Sequence, residues 1–158
     1  MLTEYDGKVF RVKIRGDKAD IWKYIPVDGF PKATNSRGVT YYKKTVSIKD
    51  IGELFEVLFV VFGDGRRFTI SSVNNNNIMV LCDSRKYAEE HGFSELERGV
   101  WIAEKSIDLF DKIQMKKLFE DTNEDTITDL NKQQFIDMWN KYEFEPSISY
   151  FFKNQTNH

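Results

Sequence analysis

Cysteine occurs once in this 158-residue chain, at Cys82, which excludes a disulfide framework and any metal site built from several thiolates. Histidine is nearly as scarce: His91 and the terminal His158 leave little for imidazole ligation or a histidine base. No apolar run approaches the roughly 20 residues that span a bilayer. Met1-Leu2-Thr3-Glu4-Tyr5-Asp6 lacks the charged-then-apolar layout of a secretory signal. Neither sign of charge dominates. The formal net charge is −2 and the pI about 5.8, so no global basic field recruits nucleic acid or anionic lipid. These shortages point to a cytoplasmic protein without cofactor or metal, not bound to membranes, and they favour binding over catalysis.

Apolar and aromatic material is plentiful instead. Apolar residues make up 41% of the chain and aromatics 15%, with 13 Phe and 7 Tyr, which is enough for a real core. In Lys8-Val9-Phe10-Arg11-Val12-Lys13-Ile14-Arg15, apolar and basic residues alternate with period two, the mark of a half-buried strand. Gly16-Asp17-Lys18 turns the chain into a second strand, Ala19 to Ile25, closed by Pro26. Breakers from Asp28 to Gly38 predict a loop, and Val39 to Val46 is β-rich again. Leu54 to Phe62 predicts a central strand, with Gly63-Asp64-Gly65 turning it into Arg66 to Val73. Four asparagines, Asn74 to Asn77, predict a turn before the strand Ile78 to Cys82. Asp83 or Ser84 caps a short helix stopped by Gly92, and Val100 to Lys105 is the last strand expected.

From Ser106 the apolar spacing becomes three to four, as in Ile107, Phe110 and Ile113, and predicts a helix to about Phe119. Glu120 to Asp125 reads as a hinge. Thr128 then caps a second helix, with Phe135, Met138, Trp139 and Tyr142 on one stripe and Pro146 at its end. The expected fold class is α+β: an antiparallel sheet of six or seven strands, one short inserted helix and two C-terminal helices. Residues 1–119 form the β-rich body and 120–158 a helical appendage packed on it. No internal repeat stands out.

Charge is unevenly spread. Residues 1–50 carry 11 Lys and Arg against 6 acids, whereas 101–158 carry 7 against 11. Glu120, Asp121, Glu124, Asp125 and Asp129 form the densest acidic patch, suited either to a solvated hinge and helix start or to a basic partner. Trp139 and Tyr142, with Phe144, Tyr150, Phe151 and Phe152 beyond them, suit either core packing or a protein interface. Arg11, Lys13 and Arg15 make a basic stripe that protects a sheet edge or touches phosphates. Single-stranded nucleic acid requires aromatics interleaved with such charges on one face. Phe10 alternates away from them, which leaves Trp22, Tyr24 and Tyr42 as candidates for that face.

Tests for reactive chemistry fail one by one. Asp121-Thr122-Asn123-Glu124-Asp125 opens like a calcium loop, but Thr126 stands where glycine turns it and Lys132 where a bidentate glutamate belongs. Cys82 precedes Asp83, whose charge disfavours a thiolate, and reads as a core residue. His91 suits the end of a short helix. No nucleophile elbow, dinucleotide fingerprint or Walker loop occurs.

Tyr87-Ala88-Glu89-Glu90-His91-Gly92-Phe93, then Glu97-Arg98-Gly99-Val100-Trp101, and the opening Asp6-Gly7-Lys8-Val9-Phe10-Arg11-Val12 resemble the immunity proteins of bacterial polymorphic or contact-dependent toxin systems. The resemblance covers about residues 1–115 and rests on turn and short-helix punctuation. It implies a non-enzymatic protein that occludes a secreted toxin domain, with the acidic patch mimicking phosphates. The alternatives are a nucleic-acid-associated, phage-type protein using Arg11, Lys13 and Arg15, and a hydrolase with an unlocated carboxylate site. Composition ranks nucleic acid below a protein partner.

Overall fold

The structure, a computed structural model, describes residues 1–122 and 124–142. The expected helix end at Pro146, the aromatic tail from Phe144 to Phe152 and His158 lie outside the described residues. Among the described residues there are twelve strands, joined in mostly antiparallel ladders, and two α-helices. No helix among them is long and apolar enough to cross a membrane. The chain divides into two compact units, one built on residues 1–57 with described parts of 117–126 and 138–142, the other on 58–116 with 127–137.

The first unit contains β1 (Leu2–Tyr5), β2 (Lys8–Arg15), β3 (Lys18–Lys23), β4 (Lys32–Thr34) and β5 (Thr40–Ser47). They pair in the order β1-β2-β3-β5-β4. Asp6-Gly7 links the first two with φ of 49° and 74°; both positive, they give the hairpin turn whose twist matches the strands. The alternation in β2 sends Phe10, Val12 and Ile14 inward, where they pack with Ala19, Ile21, Phe30 and Val46. Phe30 stacks on Phe10 at 5.0 Å, and Tyr5 meets Phe10 edge-on at 6.0 Å. Burial of a Phe side chain such as Phe10, 2% exposed, contributes about 1.5–3 kcal/mol. Ser47 then caps a 3-10 turn, Ile48–Asp50, whose first N–H donates to the Asp17 carbonyl.

In the second unit the same plan returns. Its strands are β6 (Phe55–Gly63, its start belonging to the first unit), β7 (Arg66–Asn74), β8 (Asn77–Cys82), β9 (Ser94–Glu97) and β10 (Val100–Ser106). They pair as β6-β7-β8-β10-β9, the order of the first module. Asp64-Gly65 repeats the Asp-Gly turn with φ of 52° and 68°. Phe68 and Phe93 stack as Phe10 and Phe30 do, and Lys105 lies over Phe93 as Lys44 lies over Phe30. Ser106 caps a second 3-10 turn, Ile107–Leu109, whose first N–H donates to the Asn76 carbonyl. One exchange balances itself. Gly63 stands where the first module has Tyr5, and the Phe110 ring fills the space, meeting Phe68 edge-on at 5.9 Å. A Cβ on Gly63 would lie 3.1 Å from that ring. The modules differ most between their third and fourth strands: a loop in the first, helix α1 (Arg85–Glu90) in the second. Ser84 caps α1, and Gly92, at φ 74°, lets the Phe93 N–H return to the Ala88 carbonyl.

Three expectations need correction. The sheet count of six or seven strands is too low: β1, β4 and β9 fall in stretches whose pairing partner, not their composition, makes them strands. The first of the two C-terminal helices does not form. Ile107 belongs to the 3-10 turn, Phe110 to the link that packs on Gly63, and Ile113 to strand β11 (Lys112–Phe119), so the helical spacing joins three different structures. Within β11 the buried residues are Ile113 and Met115, a period of two. Thr128 lies inside strand β12 (Asp125–Leu130), which pairs with β11, and the expected hinge is the turn between them. The one C-terminal helix described, α2 (Lys132–Tyr142), is capped by Asn131, which exchanges two bonds with Gln134 at 2.8 and 2.9 Å.

Candidate functional site

On the face of β2, β3 and β5 opposite the core, the antiparallel register lines up side chains in rows. Arg11 pairs across to Trp22, and Trp22 to Lys43. Lys13 pairs to Asp20, and Asp20 to Thr45. Tyr24 extends the β3 alternation and Tyr41 that of β5. The result is a cleft of about 260 Å³ lined by Lys13, Trp22, Tyr24, Asn35, Tyr41 and Lys43, with Asp20 at its base. The Arg11 guanidinium lies 5.7 Å over the Tyr24 ring.

Asp20 organises the cations. It is 4% exposed and accepts from the Thr45 hydroxyl at 2.6 Å. Arg15 reaches it at 2.8 Å and Lys43 at 3.3 Å. The Thr45 bond above all, then Arg15 and Lys43, holds this carboxyl below its ordinary pKa, against the opposing pull of burial. Asn35 belongs to the loop before β5. Its Oδ1 accepts from the backbone N–H of Arg37 at 2.9 Å and of Val39 at 3.0 Å, fixing the side chain at the rim.

The structure thus brings Arg11, Lys13 and Arg15 onto one face with Trp22 and Tyr24. Tyr42 is not there: it packs against the core of its module, and its neighbour Tyr41 takes the outer position. A one-residue shift along a strand exchanges faces. Asp20, Asn35, Tyr41 and Lys43 escaped the sequence reading, although period two from Trp22 reaches Asp20 and Tyr24, and from Tyr41 reaches Lys43 and Thr45.

The acidic residues are placed otherwise. Glu120, Asp121, Glu124 and Asp125 are exposed at the β11–β12 turn, pinned by the Phe119 N–H to the Glu124 carbonyl and by Glu120 N–H to Leu54. Asp129 lies along β12, accepting from Gln114 at 2.7 Å and pairing with Lys112 at 3.5 Å. Trp139 is half-buried. Tyr142 is 6% exposed and packs on Phe55, and burial, with Glu4 adding to it, pushes its pKa up. Cys82 is buried, and His91 ends α1 with Nδ1 2.8 Å from the Tyr87 carbonyl.

The second module supplies an internal control for the cleft. Leu81 holds the place of Trp22, paired to Thr69 and Ile102 where the first module has Arg11 and Lys43. The ladder therefore forms without cations or a tryptophan at these positions. Comparison with protein-family models, curated proteins and solved structures found no match to the chain.

Proposed function

We propose that this chain is a cytoplasmic, non-enzymatic binding protein that takes single-stranded nucleic acid on the β2-β3-β5 face. One observation carries the reading: Trp22, flanked across the strands by Arg11 and Lys43, shares a cleft with Tyr24 and Tyr41. Flat π faces stack on bases, at about 1–3 kcal/mol per base, while neighbouring cations follow the phosphates. The face carries five cations, Arg11, Lys13, Arg15, Lys18 and Lys43, against one acid, Asp20, so its local field is positive although the whole chain is slightly acidic. Asp20 supports binding rather than proton transfer, because its three partners keep it ionised.

Fluorescence anisotropy of a labelled mixed-sequence oligonucleotide tests this. Binding weakens steeply with added salt, and Trp22→Ala lowers affinity by about tenfold or more, as the loss of one stacked base requires. Absence of binding at low salt, or wild-type affinity in Trp22→Ala, overturns it. A second reading, an immunity protein occluding a bacterial toxin, is favoured by the exposed Glu120, Asp121, Glu124 and Asp125 turn. There, reversing Glu124 and Asp125 to Lys slows association with a basic partner captured from the native host and leaves folding intact; an unchanged on-rate removes that turn from consideration.

A further inference from the structure

We infer that the second module carries a binding site of its own, for a small aromatic carboxylate, in a cleft that shares no residue with the β2-β3-β5 face. The cleft measures about 240 Å³ and its walls are aromatic. Phe68, 3% exposed, meets Tyr87 at 5.4 Å, Phe93 at 6.0 Å and Phe110 at 5.9 Å, so one buried ring fixes three half-buried ones. His91 extends the wall, stacked on Tyr87 at 3.8 Å. Sites for drug-sized ligands run to roughly 300–1,000 Å³, so this one suits a single ring. The first module shows what is missing here. There Lys44 lies over two rings, Tyr5 at 5.8 Å and Phe30 at 5.7 Å. Its counterpart Lys105 lies over Phe93 alone, at 5.5 Å, because Gly63 stands in the place of Tyr5. Phe110 takes over the edge contact with Phe68 but makes no such contact with Lys105. A ring entering from solvent finds the apolar place that the first module fills with its own tyrosine.

Charge decides the rest of the ligand. The Lys105 ammonium donates to the His91 carbonyl at 3.2 Å and meets no carboxylate among the described residues. That neutral acceptor leaves it two further N–H groups and an uncompensated charge. Asp64, the acid of the cleft, accepts from the Tyr87 hydroxyl at 2.9 Å, and the Arg66 guanidinium lies 4.6 Å over the same tyrosine ring. Two cations thus stand around one acid, and the surplus is positive. A carboxylate on a short chain from the ring answers Lys105 with a charge-assisted hydrogen bond.

The experiment titrates phenylpropionate into the isotope-labelled full chain and follows the NMR shifts of Gly63, Tyr87 and Phe93. Three relatives of the same length separate charge from ring: phenylpropanol, phenylpropylamine and cyclohexylpropionate. The expected result is that phenylpropionate saturates in the millimolar range, as befits so few atoms. The alcohol and the amine bind about tenfold more weakly or worse, for want of the charged bond. The cyclohexyl acid loses about threefold or more, for want of a π face. Lys105→Met brings the phenyl acid down to the level of the alcohol, and Lys105→Arg retains its binding. No shift with any of the four, an amine as tight as the acid, or a cyclohexyl acid as tight as the phenyl one overturns the inference. So does an affinity for the acid that survives Lys105→Met. If that variant fails to fold, the order of acid over amine in wild type decides alone. None of these outcomes touches Trp22, so the nucleic-acid reading stands or falls separately.

Discussion

Trp22 and Leu81 hold the same position in the third strands of two modules that pair their strands in one order. Across from Trp22 stand Arg11 and Lys43; across from Leu81 stand Thr69 and Ile102. The inward positions tell the opposite story. Phe10 answers to Phe68, Phe30 to Phe93, Ser47 to Ser106 and Ile48 to Ile107, with the same stacking, the same cap and the same backbone bond after the return strand. What the two modules share is what the ladder needs to close on its core. What only the first carries at these outward positions, the cations and the half-buried rings of the cleft, answers to something other than folding.

The shared positions make the strongest break. Phe10→Ala and Phe68→Ala should each cost about 3–5 kcal/mol in chemical denaturation, since each opens a cavity beneath a stacked ring. A cost well under that in one module would show that its aromatic pair is decoration. The exchanged position comes next. Gly63→Ala pushes a methyl against the Phe110 ring and should cost about 1–3 kcal/mol. Adding Phe110→Ile, the residue at the matching place in the first module, should recover most of it, and a strictly additive double variant would sever the pair.

Much of this was legible in the chain. Period two in Lys8 to Arg15 assigns Phe10 and Val12 to the core, and the two Asp-Gly turns mark their hairpins before any pairing is known. The repeat itself was not, because only its inward residues recur: β2 and β7 share a Phe three places after the turn glycine, while a bulge between Ile70 and Ser72 breaks the alignment beyond it. The cleft was half legible. Arg11, Lys13 and Arg15 announce themselves by alternation, but Lys43 and Tyr41 join them only through the register of β3 on β5, which is set by pairing between segments some twenty residues apart. Tyr41 and Tyr42 look alike until that register chooses between them. The segment from Ile107 to Phe119 misled for the complementary reason: its helical spacing crosses a 3-10 turn, a link and a strand, and no single element owns the pattern.

Asp20 offers the finest distinction between the modules, since Met79 occupies its place in the second, paired to Glu104 where Asp20 pairs to Thr45. With its folded pKa lowered by Thr45, Arg15 and Lys43, Asp20 stabilises the protein at pH values above the ordinary aspartate value of about 3.9. That contribution is lost as the pH falls through the lower folded value, because protonation discharges the group its partners hold. Asp20→Asn should therefore lower the melting temperature near neutrality and flatten its fall on the acid side, with wild type and variant converging at the lowest pH. The loss should concentrate in the amide-exchange protection of β3 and β5, leaving β8 and β10 unchanged. Melting curves that stay parallel across the acid range would mean that Thr45, Arg15 and Lys43 merely surround the carboxylate without stabilising its charge.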